Sequence, residues 1–218
     1  MTLRVLIVDD QDLFRDAIAV VLARDPRIGE VATAASGGEA VEHVRAHAVD
    51  VVLMDIRMPG MDGIAATREV LSARPSTRVL VLTTFDLDEY VYAAIREGAS
   101  GFLTKDAGAA ELADAAVAVA RGDAVMSQRA TAALVGFVRD GVPAGPAADA
   151  LAVLSPRERE VALALAAGAS NDDIARQLFL SENTVKTHVK AVLAKLGVPD
   201  RVHVVIWAYE SGVLRPRG

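Results

Sequence analysis

Cysteine is missing from all 218 residues, which removes disulfides, thiol catalysis and thiolate metal sites together. The four histidines, His43, His47, His188 and His203, are scattered and show no metal-ligand spacing, so any metal must be held by oxygen. No apolar run approaches the roughly 18 to 20 residues needed to cross a bilayer. The start, MTLRVLIVDD, lacks a signal peptide's basic region, long apolar core and small-residue cleavage site. These absences lead to the expectation of a soluble, cytoplasmic protein without a membrane partner.

What is present points to two domains. With 52% hydrophobic and 24% charged residues, a chain of this length can bury real cores. The net charge of −6 is uneven. Residues 1 to 124 carry 12 basic and 20 acidic side chains, and residues 151 to 218 carry nine and seven. An acidic front half argues against direct nucleic-acid binding there, whereas a mildly basic tail permits it.

In the first 124 residues, short β-branched runs alternate with helix-period stretches. Strands are predicted at 4 to 8, 31 to 34, 51 to 54, 79 to 82 and 101 to 104. Phe14, Ala17, Ile18 and Val21 repeat at helical spacing, and further helices are predicted near 38 to 47, 63 to 73, 87 to 97 and 108 to 121. Continuously apolar strands such as Val51-Val52-Leu53-Met54 suit a parallel sheet covered on both faces. The fold class is therefore α/β, a doubly wound five-stranded parallel sheet.

From 125 to 150 strand periodicity vanishes, and Gly136, Gly141, Pro143, Gly145 and Pro146 interrupt what reads as one short helix near 128 to 139. This segment is expected to be a linker. Beyond it, Ser155-Pro156-Arg157-Glu158 reads as a capping box with Pro at the first helical position, and Ser170 and Ser181 open further helices. Helices at 156 to 167, 171 to 178, 182 to 196 and 199 to 211 are too short to stand alone and must pack together. The tail, 151 to 218, is expected to be a small all-α domain.

In an open parallel sheet, function collects at the carboxyl ends of the strands. There lie Asp9-Asp10 after the first strand, Asp55 after the third, Thr83-Thr84 after the fourth and Lys105 after the fifth. Converging carboxylates repel unless a cation joins them, and hard oxygens in a watery site suit Mg²⁺. Asp55 can then attack a phosphoryl group, with the metal and Lys105 offsetting oxygen charge and Thr83 donating a hydrogen bond. Each residue also has a bland reading. Asp9 or Asp10 alone can be the next helix's N-cap, Lys105 a solvated charge, Thr83 a strand end, and Pro59-Gly60 and Asp62-Gly63 turn formers with Asp62 as a cap. Their placement at four different strand ends favours the site.

VLIVDD, VVLMDIRMPGMDG, VLVLTTF and GFLTKD resemble the receiver domain of bacterial two-component response regulators, over essentially all of 1 to 124. The resemblance implies a flavodoxin-like fold and Asp55 as phospho-acceptor. It further implies that Asp10 and Asp9 hold Mg²⁺, one of them partly through water, and that the backbone carbonyl of Arg57 completes the protein ligands. Thr83 and Lys105 match the phosphate-sensing hydroxyl and ammonium. Phe102 matches the aromatic switch position, where many receivers have Tyr; without a hydroxyl it can change rotamer but cannot form that hydrogen bond. Asp106 stands where many receivers have Pro.

In the tail, Val185, Val189, Val192 and Leu196 should face the core with Ile174 and Leu178, leaving Lys186, Thr187 and Lys190 outward. Three lysines and no acid lie between Asn183 and Gly197, a charge that a phosphate backbone attracts. Composition alone leaves a helical protein-binding adaptor equally open. LSPREREVALALAAGASNDDIARQLFLSENTVKTHVKAVLAKLGVPDR resembles the LuxR-type helix-turn-helix, and with the receiver it resembles the NarL/FixJ subfamily of response regulators. The resemblance implies that Lys186, Thr187 and Lys190 contact base edges, that Asn183 and Thr184 touch the DNA backbone, and that the last helix pairs two DNA-binding domains. Within that helix Val202, Val205, Ile206 and Tyr209 read as one apolar stripe, with His203, Trp207 and Glu210 on another face. Trp207 reads as core packing. His188 reads equally as a phosphate contact or a packed side chain.

The expected function is a transcription factor, not an enzyme. Its partners would be a sensor histidine kinase that phosphorylates Asp55, a double-stranded DNA operator and the transcription machinery, with a homodimer formed on phosphorylation. The rival is a Mg²⁺-dependent phosphotransfer enzyme or phosphatase with an accessory helical domain. Such phosphohydrolases usually place their aspartyl nucleophile after the first strand in a DxDx[TV] pattern, and here it follows the third.

Overall fold

A computed structural model describes residues 2–84, 88–123, 125–126, 130 and 151–214. The chain divides into two compact units, Met1–Leu134 and Val135–Gly218. In the first, β1 (Leu3–Val8), β2 (Ile28–Ala34), β3 (Val51–Asp55), β4 (Arg78–Thr83), β5 (Gly101–Thr104) and β6 (Val125–Met126) alternate with α1 (Asp12–Leu22), α2 (Gly37–Ala46), α3 (Gly63–Ala73), α4 (Asp88–Arg96) and α5 (Ala109–Ala120). The sheet runs β2-β1-β3-β4-β5-β6 with every pair parallel.

Period-two side-chain direction sorts the strands onto two apolar faces. Val5, Ile7, Val51, Leu53, Leu80, Leu82 and Leu103 form one core with Ile18 and Leu22 of α1 and Leu112, Ala116 and Val119 of α5. The alternate residues, Leu6, Val8, Val52, Met54, Val79 and Val81, are also buried. On that account β3 is buried at all five positions, as strands covered by helices on both sides must be. The bidentate Arg4–Asp50 pair, 2.8 Å at its shortest, ties β1 to the residue before β3.

The expected α/β class holds, but the sheet has a sixth strand. Val125 pairs with Gly101 and Met126 with Phe102, so the first two residues of the expected linker extend the sheet. Two residues are too few for a period to show, and only β5's free edge makes them a strand. The short helix expected near 128 to 139 lies, except for Ala130, outside the described residues.

In the second unit, α6 (Pro156–Ala166), α7 (Asn171–Leu178), α8 (Glu182–Leu196) and α9 (Arg201–Glu210) surround Leu154, Val161, Leu165, Ile174, Val185, Val192 and Val204. The expected capping box forms between Ser155 and Glu158, and Ser170, expected to open the next helix, does so through a second box with Asp173. Ser181 caps α8 at Thr184 N. Gly197 closes α8 with φ +68°, a left-handed position that glycine adopts without a Cβ penalty. Phe179, which ends α7, takes φ 54° without being glycine and is 95% exposed. Trp207 packs against this core, in agreement with its expected role. Val202 and Ile206 of the expected α9 stripe are buried, and Val205 and Tyr209 are half-buried. Among the described residues, no helix is long and apolar enough to cross a membrane.

Candidate functional site

The chain enters the sheet at β1, winds outward to β2 and returns past β1 to β3. Loops leaving the carboxyl ends of β1 and β3 therefore diverge, opening a crevice between them. Asp9 and Asp10 stand on one side of it and Asp55 on the other. One carboxylate oxygen from each lies within 4.8 Å of the others. Asp9 and Asp55 are buried, at 1% and 4% exposure, and Asp10 is open to solvent.

Lys105, delivered by β5, bridges the acids: its Nζ is 2.6 Å from Asp9 Oδ2 and 3.1 Å from Asp55 Oδ2. Its side chain is only 6% exposed. Burial holds the Asp55 carboxyl above the ordinary carboxylate value, with Lys105 opposing the rise and the Asp9 charge adding to it. Thr83 ends β4, is 4% exposed, and offers its backbone carbonyl to Lys105 N at 2.7 Å. In register, Thr83 stands beside Thr104, and Asp55 beside Leu82. Phe102 is buried beside Val81. Arg57 follows Asp55 by two residues and carries its guanidinium 6.0 Å from the centre of the Tyr90 ring.

The bland readings separate here. The N-cap of α1 is Gln11, without a side-chain capping bond, so neither Asp9 nor Asp10 fills that role. Asp9 Oδ1 instead accepts from Gln11 N at 3.0 Å. Its buried Oδ2 has the ionic contact with Lys105 but no directional hydrogen bond. Three carboxylates cluster where Lys105 brings a single ammonium, an excess of negative charge that a further cation would offset. Asp62 does cap α3, through Ala65 N at 2.8 Å.

Three contacts went unread in the sequence. Phe14, assigned by spacing to the apolar face of α1, lies with its ring centre 4.9 Å from Lys105 Nζ, a cation–π distance. Arg15 donates to the Asp9 carbonyl at 2.6 Å. Gly63, taken as a turn former, sits so close to β3 that a Cβ there would be 1.9 Å from the Asp55 carbonyl oxygen. Its N–H donates to Ile56 O at 2.8 Å. A Gly within the DG pair was the only available signal, since close approach is a tertiary fact.

On the second unit, Asn183, Lys186, Thr187 and Lys190 are exposed along α8, and Val185 and Val192 are buried on its other side. Thr184 is half-buried, and its hydroxyl lies 2.8 Å from Ser181 Oγ. Lys186 has only a loose surface pair with Glu182, 3.9 Å. Lys195, the third lysine of the helix, is held by Glu158 at 2.7 Å, so two lysines supply the free charge of this face. His188 is half-buried.

Comparison with known proteins agrees with both halves. Residues 5–117 match the response regulator receiver domain family, and residues 152–208 match the bacterial regulatory proteins of the luxR family. The chain is 37% identical over 213 residues to the uncharacterized transcriptional regulatory protein YxjL of Bacillus subtilis, covering 98% of each. It is 38% identical over 215 residues to the DNA-binding transcriptional activator DevR/DosR of Mycobacterium tuberculosis, covering 99% of this chain and 98% of that one. Among solved structures, the response regulator ChrA of a heme-sensing two-component system is 35% identical, with a TM-score of 0.53 over 98% of this chain and 99% of that one.

Proposed function

Because this chain belongs to the DNA-binding response regulators of the NarL/FixJ type, we propose that Asp55 is its phospho-acceptor and that phosphorylation there controls operator binding. The observation that carries this reading is the convergence of Asp9, Asp10 and Asp55 within 4.8 Å, with Lys105 against two of them.

The donor set fits Mg²⁺: three hard carboxylates brought together, one of them open to water. Asp9, Asp10 and Asp55 would hold it, with the Arg57 carbonyl as the further protein ligand. When bound, the ion supplies positive charge beside the phosphoryl oxygens. The chain's own residues do the rest. An Asp55 carboxylate oxygen attacks the phosphorus of a phosphohistidine on a sensor histidine kinase; the new P–O bond forms as the P–N bond breaks, and the departing imidazole takes a proton. Lys105 neutralises the oxygens left on phosphorus, and Thr83 moves to donate to one of them. The space Thr83 leaves lets Phe102, beside β4, repack.

That movement alters the surface over 87 to 121 and favours a homodimer. Two copies then present two α8 faces to double-stranded DNA, with Lys186, Thr187 and Lys190 at base edges and Asn183 and Thr184 at the backbone. Phosphate shifts this equilibrium only by its differential stabilisation of the active form, so some unphosphorylated activity remains. The output is control of the transcription machinery in the cytoplasm, with the chain after β6, whose last residue is Met126, joining the receiver to a reader at 151–218. The chain is not an enzyme in this reading. Acetyl phosphate with Mg²⁺ should add one phosphoryl mass to the intact chain and none to Asp55→Asn; equal labelling of both would refute the acceptor assignment. Turnover of a small phosphate ester would favour the phosphatase reading instead.

A further inference from the structure

Among the described residues, six glycines take a positive φ, and one residue with a side chain does so: Phe179, at φ 54° and ψ 47°. Gly168 and Gly197, which follow α6 and α8, show what the chain uses where only the turn is at stake. A bulky side chain in the left-handed region crowds the backbone and is strained. Strain of this kind persists at positions that serve a function.

The fold draws no benefit from the ring. Phe179 N–H donates to Arg176 O at 3.4 Å and Leu180 N–H to Ala175 O at 2.9 Å, closing α7 with bonds that a glycine would make equally well. Leu180 packs against the core of the unit. Phe179 stays 95% exposed, more than any other large apolar side chain among the described residues.

We propose that Phe179 lays its ring on a deoxyribose of bound DNA, at the edge of the groove that α8 enters. The inference rests on the DNA-reading role of α8. Phe179 stands two residues before Ser181, the N-cap of that helix, and the exposed Asn183, Lys186 and Thr187 lie in its N-terminal half. A reading helix meets the major groove with its N-terminal residues, which carries the turn before it against the sugar–phosphate rim. Lys186 and Lys190 attract the phosphates, and the sugars between phosphates offer the C–H surface that suits an uncharged ring. The capping bonds hold the ring outward before DNA arrives, so little freedom is lost on contact.

The test uses the full chain and a duplex selected from a random pool by the parent. Phe179→Gly and Phe179→Asn should have urea midpoints at or above the parent's, since both residues accept the left-handed region. Each should nevertheless bind the selected duplex about fivefold more weakly or worse. The slope of affinity against salt should stay unchanged, because a phenyl ring displaces no counterion. Lys190→Ala, which should reduce that slope, checks the reading of α8 separately. Hydroxyl radicals attack deoxyribose, and their cleavage should show a sugar in each half-site protected by the parent and by Phe179→Tyr but open with Phe179→Gly. If Phe179→Gly binds and footprints like the parent while Lys190→Ala is weakened, the proposal is overturned and the α8 reading stands. No selected duplex, or no loss in either variant, would overturn both. A lower urea midpoint for Phe179→Gly would assign the ring to the fold and overturn the proposal.

Discussion

Glu158 and Lys195 are 37 positions apart in the chain and 2.7 Å apart in the fold. The same Glu158 oxygen accepts from Ser155 N at 2.7 Å. One carboxylate therefore caps the first helix of the DNA-binding unit and holds the last turn of α8, the helix that carries the exposed lysines. The Lys195 ammonium, followed by the Ser155 N–H, holds the Glu158 carboxyl down at about 2.

A depressed carboxyl stabilises the fold above its unfolded value and loses that contribution as pH falls toward the folded one. Glu158→Gln should therefore have a lower urea midpoint than the parent at neutral pH. The gap should narrow as pH drops from about 4.5 toward about 2. A gap that stays constant across this interval would show that the ion pair does not carry the difference.

Asp55 behaves with the opposite sign. Its carboxyl is raised by burial, so the folded state binds a proton more tightly than the unfolded one, and ionising the group as pH rises costs stability. Asp55→Asn should be more stable than the parent at neutral pH in EDTA. Mg²⁺ should reduce that advantage by stabilising the parent more. Urea midpoints with and without Mg²⁺ measure both effects.

Removing Lys105 leaves two buried acids facing each other. Lys105→Met should cost about 3 kcal/mol in EDTA, the scale for stripping one partner from a buried ion pair. Mg²⁺ should restore part of the loss. Denaturation curves in the two conditions distinguish this from a simple packing defect, which the ion would not repair.

Gly63→Ala places a methyl against the Asp55 carbonyl and should cost about 1 to 3 kcal/mol by overpacking. Because the strain falls on the backbone of Asp55, the proposed acceptor, labelling by acetyl phosphate should slow even where the variant remains folded. Unfolding curves and labelling rates at one temperature test the two together.

On the second unit, Lys190→Ala should weaken operator binding and reduce the salt slope by about one. Lys195→Ala should destabilise the unit through Glu158. Operator affinity across a salt series, alongside urea unfolding, separates the two lysines.

Much of this was legible because it is local. Strand runs, helix spacing, the Ser155 capping box, the Ser170 helix start and the acids at strand ends all depend on residues close in sequence, where period and hydrogen-bonding geometry act directly. The outward face of α8 followed from a 3.6-residue period alone. Other features depend on which distant groups meet. Only the folded sheet brings Phe14 under Lys105, presses Gly63 against Asp55 and leaves β5 an edge for Val125 and Met126, and only the packed helices of the second unit make Lys195 the partner of Glu158. The sequence by itself determined which side chains stand at the carboxyl ends of the strands, since alternation and turns set that; the tertiary structure decided their distances, burial and charge balance, because these arise from packing between elements that no local pattern encodes.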